Sequence, residues 1–437
     1  MKLRLLFLLV FFVLLAFVSC TEGGGGGGCD DDDCPEPPGP GGNTGWTGWP
    51  FDNSGETLPP HECPSYDEAI EITYNNGAEA EASDPSVTKE GENVTVNLSG
   101  TTERHVVVNG TARNGSLKIY GGDSRVVLHL NGVNIKNNSG PAINVQKGKR
   151  VTVCLVSGKE NYLDGTSATP QGQEQAKGAF FSEEKLYFTG NGSLDVKSRQ
   201  GHAIVVDNDF ELDNGKLTIS ESEGDGIHVN EKIEILGGVI KIASKGDAIQ
   251  SEKLGSTIYP SVMISGGKIL AKTTGIKSHG ITSESPIHIE NNAIIQISVL
   301  GNGSKGIKST SDMEIKGGTI AIQVSGGRDQ NSNADTSTAA GIKVGVNGDG
   351  SDAVKADLII DGGDITIRSL GSNAKGINVS RNIDMSNGNV NVEADDDGIK
   401  VHGTLRMSGG SITAASRKSD PVDAGNTNKT GGTINGK

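Results

Sequence analysis

At 437 residues the chain can hold two or three ordinary domains, but 64 glycines and only 4% aromatic residues favour one long, slim repeat architecture over several bulky cores. A formal charge of −15 speaks against general nucleic-acid binding, which needs a basic footprint, and it leaves carboxylates available for metal or solvent.

In chain order, residues 1–20 read as a targeting segment: a basic start at Lys2 and Arg4, then an apolar run from Leu5 to Val18 that is short for a membrane span. The run ends in Phe17-Val18-Ser19-Cys20, which resembles the lipobox of bacterial lipoproteins, so Cys20 is the expected lipid-bearing residue. An ordinary signal peptide with an incidental cysteine is the alternative, and in both cases the protein leaves the cytoplasm. Residues 21–65 read as a tether, flexible at Gly23–Gly28, self-repelling at Asp30–Asp33 and stiffened from Pro35. An acidic stretch behind a lipid-bearing cysteine is similar to that of surface lipoproteins of Bacteroidetes. The expectation is therefore an outer-membrane, cell-surface protein that meets the membrane only through its lipid.

Among the other cysteines, Cys29 and Cys34 bracket the Asp run and can close a small loop in an oxidising compartment. Whether Cys63 and Cys154 meet stays open. No CxxC pair is present, which speaks against a zinc site.

From residue 66 to 437 the chain reads as a solenoid, with residues 66–120 as its N-terminal cap. The repeat is plainest in Gly226–Gly246, GIHVNEKIEILGGVIKIASKG. Three short runs alternate with period two, at Ile227/Val229, Ile233/Ile235 and Ile240/Ile242, and each is the signature of a half-buried strand. The opening Gly-Ile or Ala-Ile recurs from Ala142-Ile143 to Gly398-Ile399, with a weaker copy at Pro421-Val422. The reading is an all-β, parallel β-helix of about ten or eleven coils with three parallel sheets. Insertions at 163–177, 254–260 and 326–340 read as perimeter loops, and the repeat fades after Ala415.

Three features carry a family resemblance over residues 90–420: VVLHLNGVNIKN at 126–137, VTVCLVSGKENYLDG at 151–165, and the repeated [GA]-I…I-x-I-x-G-G-x-I-x-I grammar. Together they resemble the bacterial carbohydrate-binding β-helix family typified by a clostridial polygalacturonate-binding protein. The resemblance implies a right-handed β-helix of pectate-lyase type, bound Ca2+, and acidic or cellulosic plant polysaccharide as ligand. A fold close to calcium-dependent lyases does not by itself imply their activity.

Two columns can carry chemistry. Two residues before the Ile stand Asp225 and Asp247 on consecutive coils, and likewise Asp397 and Asp420. Carboxylates about 4.8 Å apart repel unless a cation lies between them, and hard oxygen donors favour Ca2+, with Asp395 and Asp396 completing a shell. The bland alternative is that these side chains cap turn N–H groups. One residue after the Ile stand His228, Lys308, Lys343 and Lys400, and the loosely matching Gly275-Ile276-Lys277 adds Lys277. Stacked lysines make a cradle for a polyuronate, or else a solvated sheet edge. The reading is thus a monomeric surface protein that binds acidic polysaccharide such as polygalacturonate with Ca2+. A calcium-dependent polysaccharide lyase is the first alternative, although no lysine stands out as its base. An adhesin or structural stalk is the second.

Overall fold

A computed structural model describes residues 58–169, 174–252, 260–330, 338–346 and 354–436, all within one compact unit, Pro37–Lys437. The expected signal peptide, Cys20, Cys29, Cys34, most of the tether and most of the 254–260 insertion lie outside the described residues.

The alternation seen in sequence becomes burial. Ile227 and Val229 point inward with His228 between them, and Ile233/Ile235 and Ile240/Ile242 repeat the arrangement on the next two walls. Each strand then pairs in parallel with its equivalent one coil on. Ile227 lies opposite Ile249, then Ile281, Ile307, Ile342, Ile377, Ile399 and Val422. Every apolar residue therefore rests on apolar residues above and below it, and each such fully buried side chain contributes about 1.5–3 kcal/mol. The described residues contain no helix, and the chain forms a parallel β-solenoid.

The stack has about 13 coils rather than ten or eleven. The added coils are at the N-terminal end: Asn93–Asn97 pairs in parallel with Ser116–Tyr120, which pairs with Ile143–Gln146. These strands lie within the stretch expected to be cap, but they carry Val94/Val96 and Leu117/Ile119 without the Gly-Ile opening. This end also carries antiparallel pairs, Ile70–Asn75 with Ala78–Glu81 and Val87–Glu90 with Asn93–Asn97, while Ile70–Asn75 joins the stack by pairing in parallel with Arg104–Ala112. Glu92 fastens this end by accepting N–H bonds from Gly77, Arg113 and Asn114. At the other end Val422–Lys429 and Thr433–Gly436 carry the stack through a complete, largely exposed coil beyond Ala415.

The Gly-Gly corner has two separate requirements. Gly238 takes φ of 73°, a left-handed value that favours glycine. A Cβ on Gly237 would lie 2.3 Å from the carbonyl oxygen of Asp213 one coil below, so the corner stacks only without a side chain.

Cys63 and Cys154 form a disulfide across 91 residues. It fastens the segment from residue 58 to 66 along the outside of the second sheet. Pro59 accepts a bond from Asn214, His61 pairs with Asp213 at 2.7 Å, and Tyr66 packs on His105 and His129. The last residues of the expected tether therefore belong to the wall of the solenoid.

Candidate functional site

The column that precedes each first-sheet Ile is a ladder of side chains that accept backbone bonds. The Asp225 N–H donates to His202 Nδ1 at 2.9 Å, the Asp247 N–H to Asp225 Oδ1 at 2.7 Å, the His279 N–H to Asp247 Oδ1 at 2.5 Å, and the Lys305 N–H to His279 Nδ1 at 3.1 Å. Each residue caps an N–H of the next coil, the turn-capping role that was the alternative to metal binding.

The second carboxylate oxygens face imidazoles and amides. Asp225 Oδ2 lies 2.8 Å from His228 Nδ1 and 3.1 Å from His202 Nδ1, and His228 Nε2 lies 3.2 Å from Glu252 Oε1. Gln250, with its amide nitrogen turned to the carboxylates, donates to Asp225 Oδ2 at 3.1 Å and Asp247 Oδ2 at 3.2 Å. Burial opposes the charge on Asp225, but the adjacent imidazoles of His202 and His228, the latter donating to Oδ2, outweigh it and hold the group well below the usual carboxylate range. Asp247 has no such partner; burial, then the charge of Asp225, pushes it up to about 7. Burial also resists a proton on His228, yet Asp225 and Glu252 raise its pKa. His279 is held well below the ordinary histidine range by burial and by Lys308 and Lys305.

The C-terminal acidic group is neutralised within the chain. Lys375 Nζ lies 2.7 Å from Asp396 Oδ2 and 2.5 Å from Asp397 Oδ2, while Ser419 donates to Asp397 Oδ1. Asp395 receives Lys418 at 2.7 Å and the Asn373 N–H at 2.8 Å. Asp420 is exposed, and among the described residues only its backbone carbonyl is engaged, by the Gly398 N–H. Apart from the exposed Asp420, the carboxylates expected to share Ca2+ are thus occupied by backbone N–H groups, imidazoles or lysines. As arranged, this donor set does not fit a hard cation that takes 6–8 oxygens.

The lysine column is only partly a surface. Lys308 and Lys343 stand in register on successive coils, followed by Asn378 and Lys400. Lys343 is 4% exposed, and Lys400 is paired with Asp423. Lys277 stands outside the column, in a turn at φ 58° with its ammonium 3.6 Å from Asp329, because the Ile276 before it is exposed instead of entering the core. Lys308 is half-buried, and its ammonium faces His279 Nε2 at 3.4 Å; among the described residues no carboxylate lies within ion-pair distance of it.

Sequence reading missed Glu252 and Lys375 as partners, although both lie about one repeat from the residues they meet. It also missed the exposed ring of Tyr162, beside a groove of about 390 Å3 on the third sheet with Asp195 and Thr218 in register.

Residues 90–348 match the family model described as "Carbohydrate-binding domain-containing protein", more than half of the chain. The chain belongs to this carbohydrate-binding family. Its matched part includes the Asp225–Asp247 ladder and the Lys308–Lys343 pair and ends before Lys375. Among solved structures, the polysaccharide lyase-like protein from C. thermocellum, in a gadolinium derivative, is similar at 16% identity over 84% of this chain and 100% of that one. Its TM-score of 0.32 is too low to carry any argument about this chain. No curated protein matches the sequence.

Proposed function

We propose that this protein is a surface lipoprotein, anchored through Cys20, that binds a uronate-bearing polysaccharide such as polygalacturonate along the outer face of its first sheet. Lys308 carries the reading: a half-buried ammonium that faces a neutral imidazole, with no carboxylate within ion-pair distance among the described residues, can take a ligand's anion. Lys343 stands beside it in register and Lys305 on the same strand, both at largely buried positions. Lys400 can join only by exchanging Asp423 for the ligand. Family membership supports a carbohydrate over other polyanions. Calcium has no part in this reading, since Asp225, Asp247, Asp395, Asp396 and Asp397 already have partners.

The test is retention on immobilised polygalacturonate, with and without EDTA, with absorbance of the eluate followed for unsaturated uronates. Retention that is unchanged by EDTA, with no rise in absorbance, is expected. Lys308→Gln should weaken it about tenfold, the value of one charge-assisted bond. Equal retention by that variant would refute the proposed face, and rising absorbance would make the protein a lyase.

A further inference from the structure

Four side chains from three successive coils converge at a point that the uronate reading does not use. His202 begins one first-sheet strand, Asp225 and His228 belong to the next coil, and Glu252 to the one after. Ligand-capable atoms of His202, Asp225 and His228 all lie within 4.8 Å of one another. We propose that His202, Asp225 and His228 form a binding site for a late first-row transition ion, Zn2+ foremost, with Glu252 as the outer partner of His228.

The donor chemistry selects the ion class. Two imidazoles and one carboxylate suit Zn2+ and its neighbours in the series, whereas Ca2+ demands oxygens. Distances also fit. Tetrahedral Zn2+ at ordinary bond lengths sets its ligand atoms about 3.3 Å apart. The contacts of Asp225 Oδ2 with His228 Nδ1 and His202 Nδ1, at 2.8 and 3.1 Å, need to open only a few tenths of an ångström. A proton shared between His228 and Asp225 now occupies the place of the ion, and it leaves to solvent when the ion enters.

The surrounding bonds are those that hold metal ligands in place. His228 Nε2 faces Glu252 Oε1 at 3.2 Å, the carboxylate–histidine–metal arrangement that fixes the ring and strengthens the ligand. Asp225 is oriented by the Asp247 N–H on its other oxygen. Loading has one cost: His202 Nδ1 now accepts the Asp225 N–H and must give that bond up. The side chains of His202 and Glu252 are 33% and 51% exposed, against 15% for His228 and 11% for Asp225, so the site opens to solvent on one side. That side admits the ion and leaves a fourth position for water or an anionic ligand.

The experiment is isothermal titration of untagged, metal-stripped full chain with ZnCl2, and separately with CaCl2, alongside the visible spectrum after CoCl2 is added. One Zn2+ per chain, a far weaker response to Ca2+, and the intense visible absorption of tetrahedral Co2+ are expected. His228→Gln and His202→Gln should each lower Zn2+ affinity about 100-fold or more, and Glu252→Gln about 10-fold. His288→Gln, on a different sheet, should leave it unchanged. These side chains also hold the coils together, so should a variant unfold, the Co2+ spectrum of the unaltered chain decides alone. Absence of stoichiometric Zn2+ binding, a six-coordinate Co2+ spectrum, or undiminished binding by folded His228→Gln would each overturn the assignment.

Discussion

Lys375 holds Asp397 at 2.5 Å across one coil, and both side chains are largely buried. Burial opposes the charge of Asp397, and bonds from Lys375 and Ser419 more than restore it, so its pKa is lowered. Removing the lysine strands a buried carboxylate beside Asp396. Lys375→Met should therefore cost about 3 kcal/mol in urea unfolding, and adding Asp397→Asn should recover much of that loss. Additive effects of the two changes would contradict the coupling.

Charge also sets the acid limit of the N-terminal coils. Burial, then the neighbouring His105, lowers the pKa of His129 to about 4, below its ordinary 6.5. Between those values the unfolded chain takes up a proton that the folded chain refuses. Stability is then greatest above pH 6.5 and falls as pH drops toward 4, by on the order of 3 kcal/mol. His129→Phe should flatten this slope in denaturant melts at pH 7 and pH 4.5; an undiminished slope would place the proton elsewhere.

The Cys63–Cys154 bond closes a loop that spans 91 positions. Cys63→Ser should lower stability by about 2–4 kcal/mol, chiefly by freeing the unfolded chain. It should also expose the segment from residue 58 to 66 to proteolysis. An unchanged urea midpoint and an intact segment would mean that the His61–Asp213 and Tyr66 contacts hold the segment without it.

Burial separates two lysines that look alike in sequence. Lys308→Gln should weaken polygalacturonate retention and reduce its salt dependence, whereas Lys343→Gln, at a largely buried position, should change retention less than threefold. A larger loss from Lys343 than from Lys308 would reverse the assignment of the contact residue.

What the amino-acid sequence determined by itself was everything local. Alternation at Ile227/Val229, Ile233/Ile235 and Ile240/Ile242 fixes three strands per coil, because side-chain direction reverses at every residue of a strand. The Gly-Gly corner is equally legible, because its backbone angles and close approach exclude side chains. The opening coils read as cap and not as stack because Val94/Val96 and Leu117/Ile119 fill the core without the Gly-Ile signature. Tertiary structure decided which residue meets which across coils. Insertions of varied length separate the repeats, so a motif match such as Gly275-Ile276-Lys277 falls in a turn instead of on the stack. It also decided the state of the acidic pairs. Asp225 and Asp397 look in sequence like carboxylates in need of a cation; folded, they have a histidine and a lysine one coil away, because stacking brings residues more than 20 positions apart into contact.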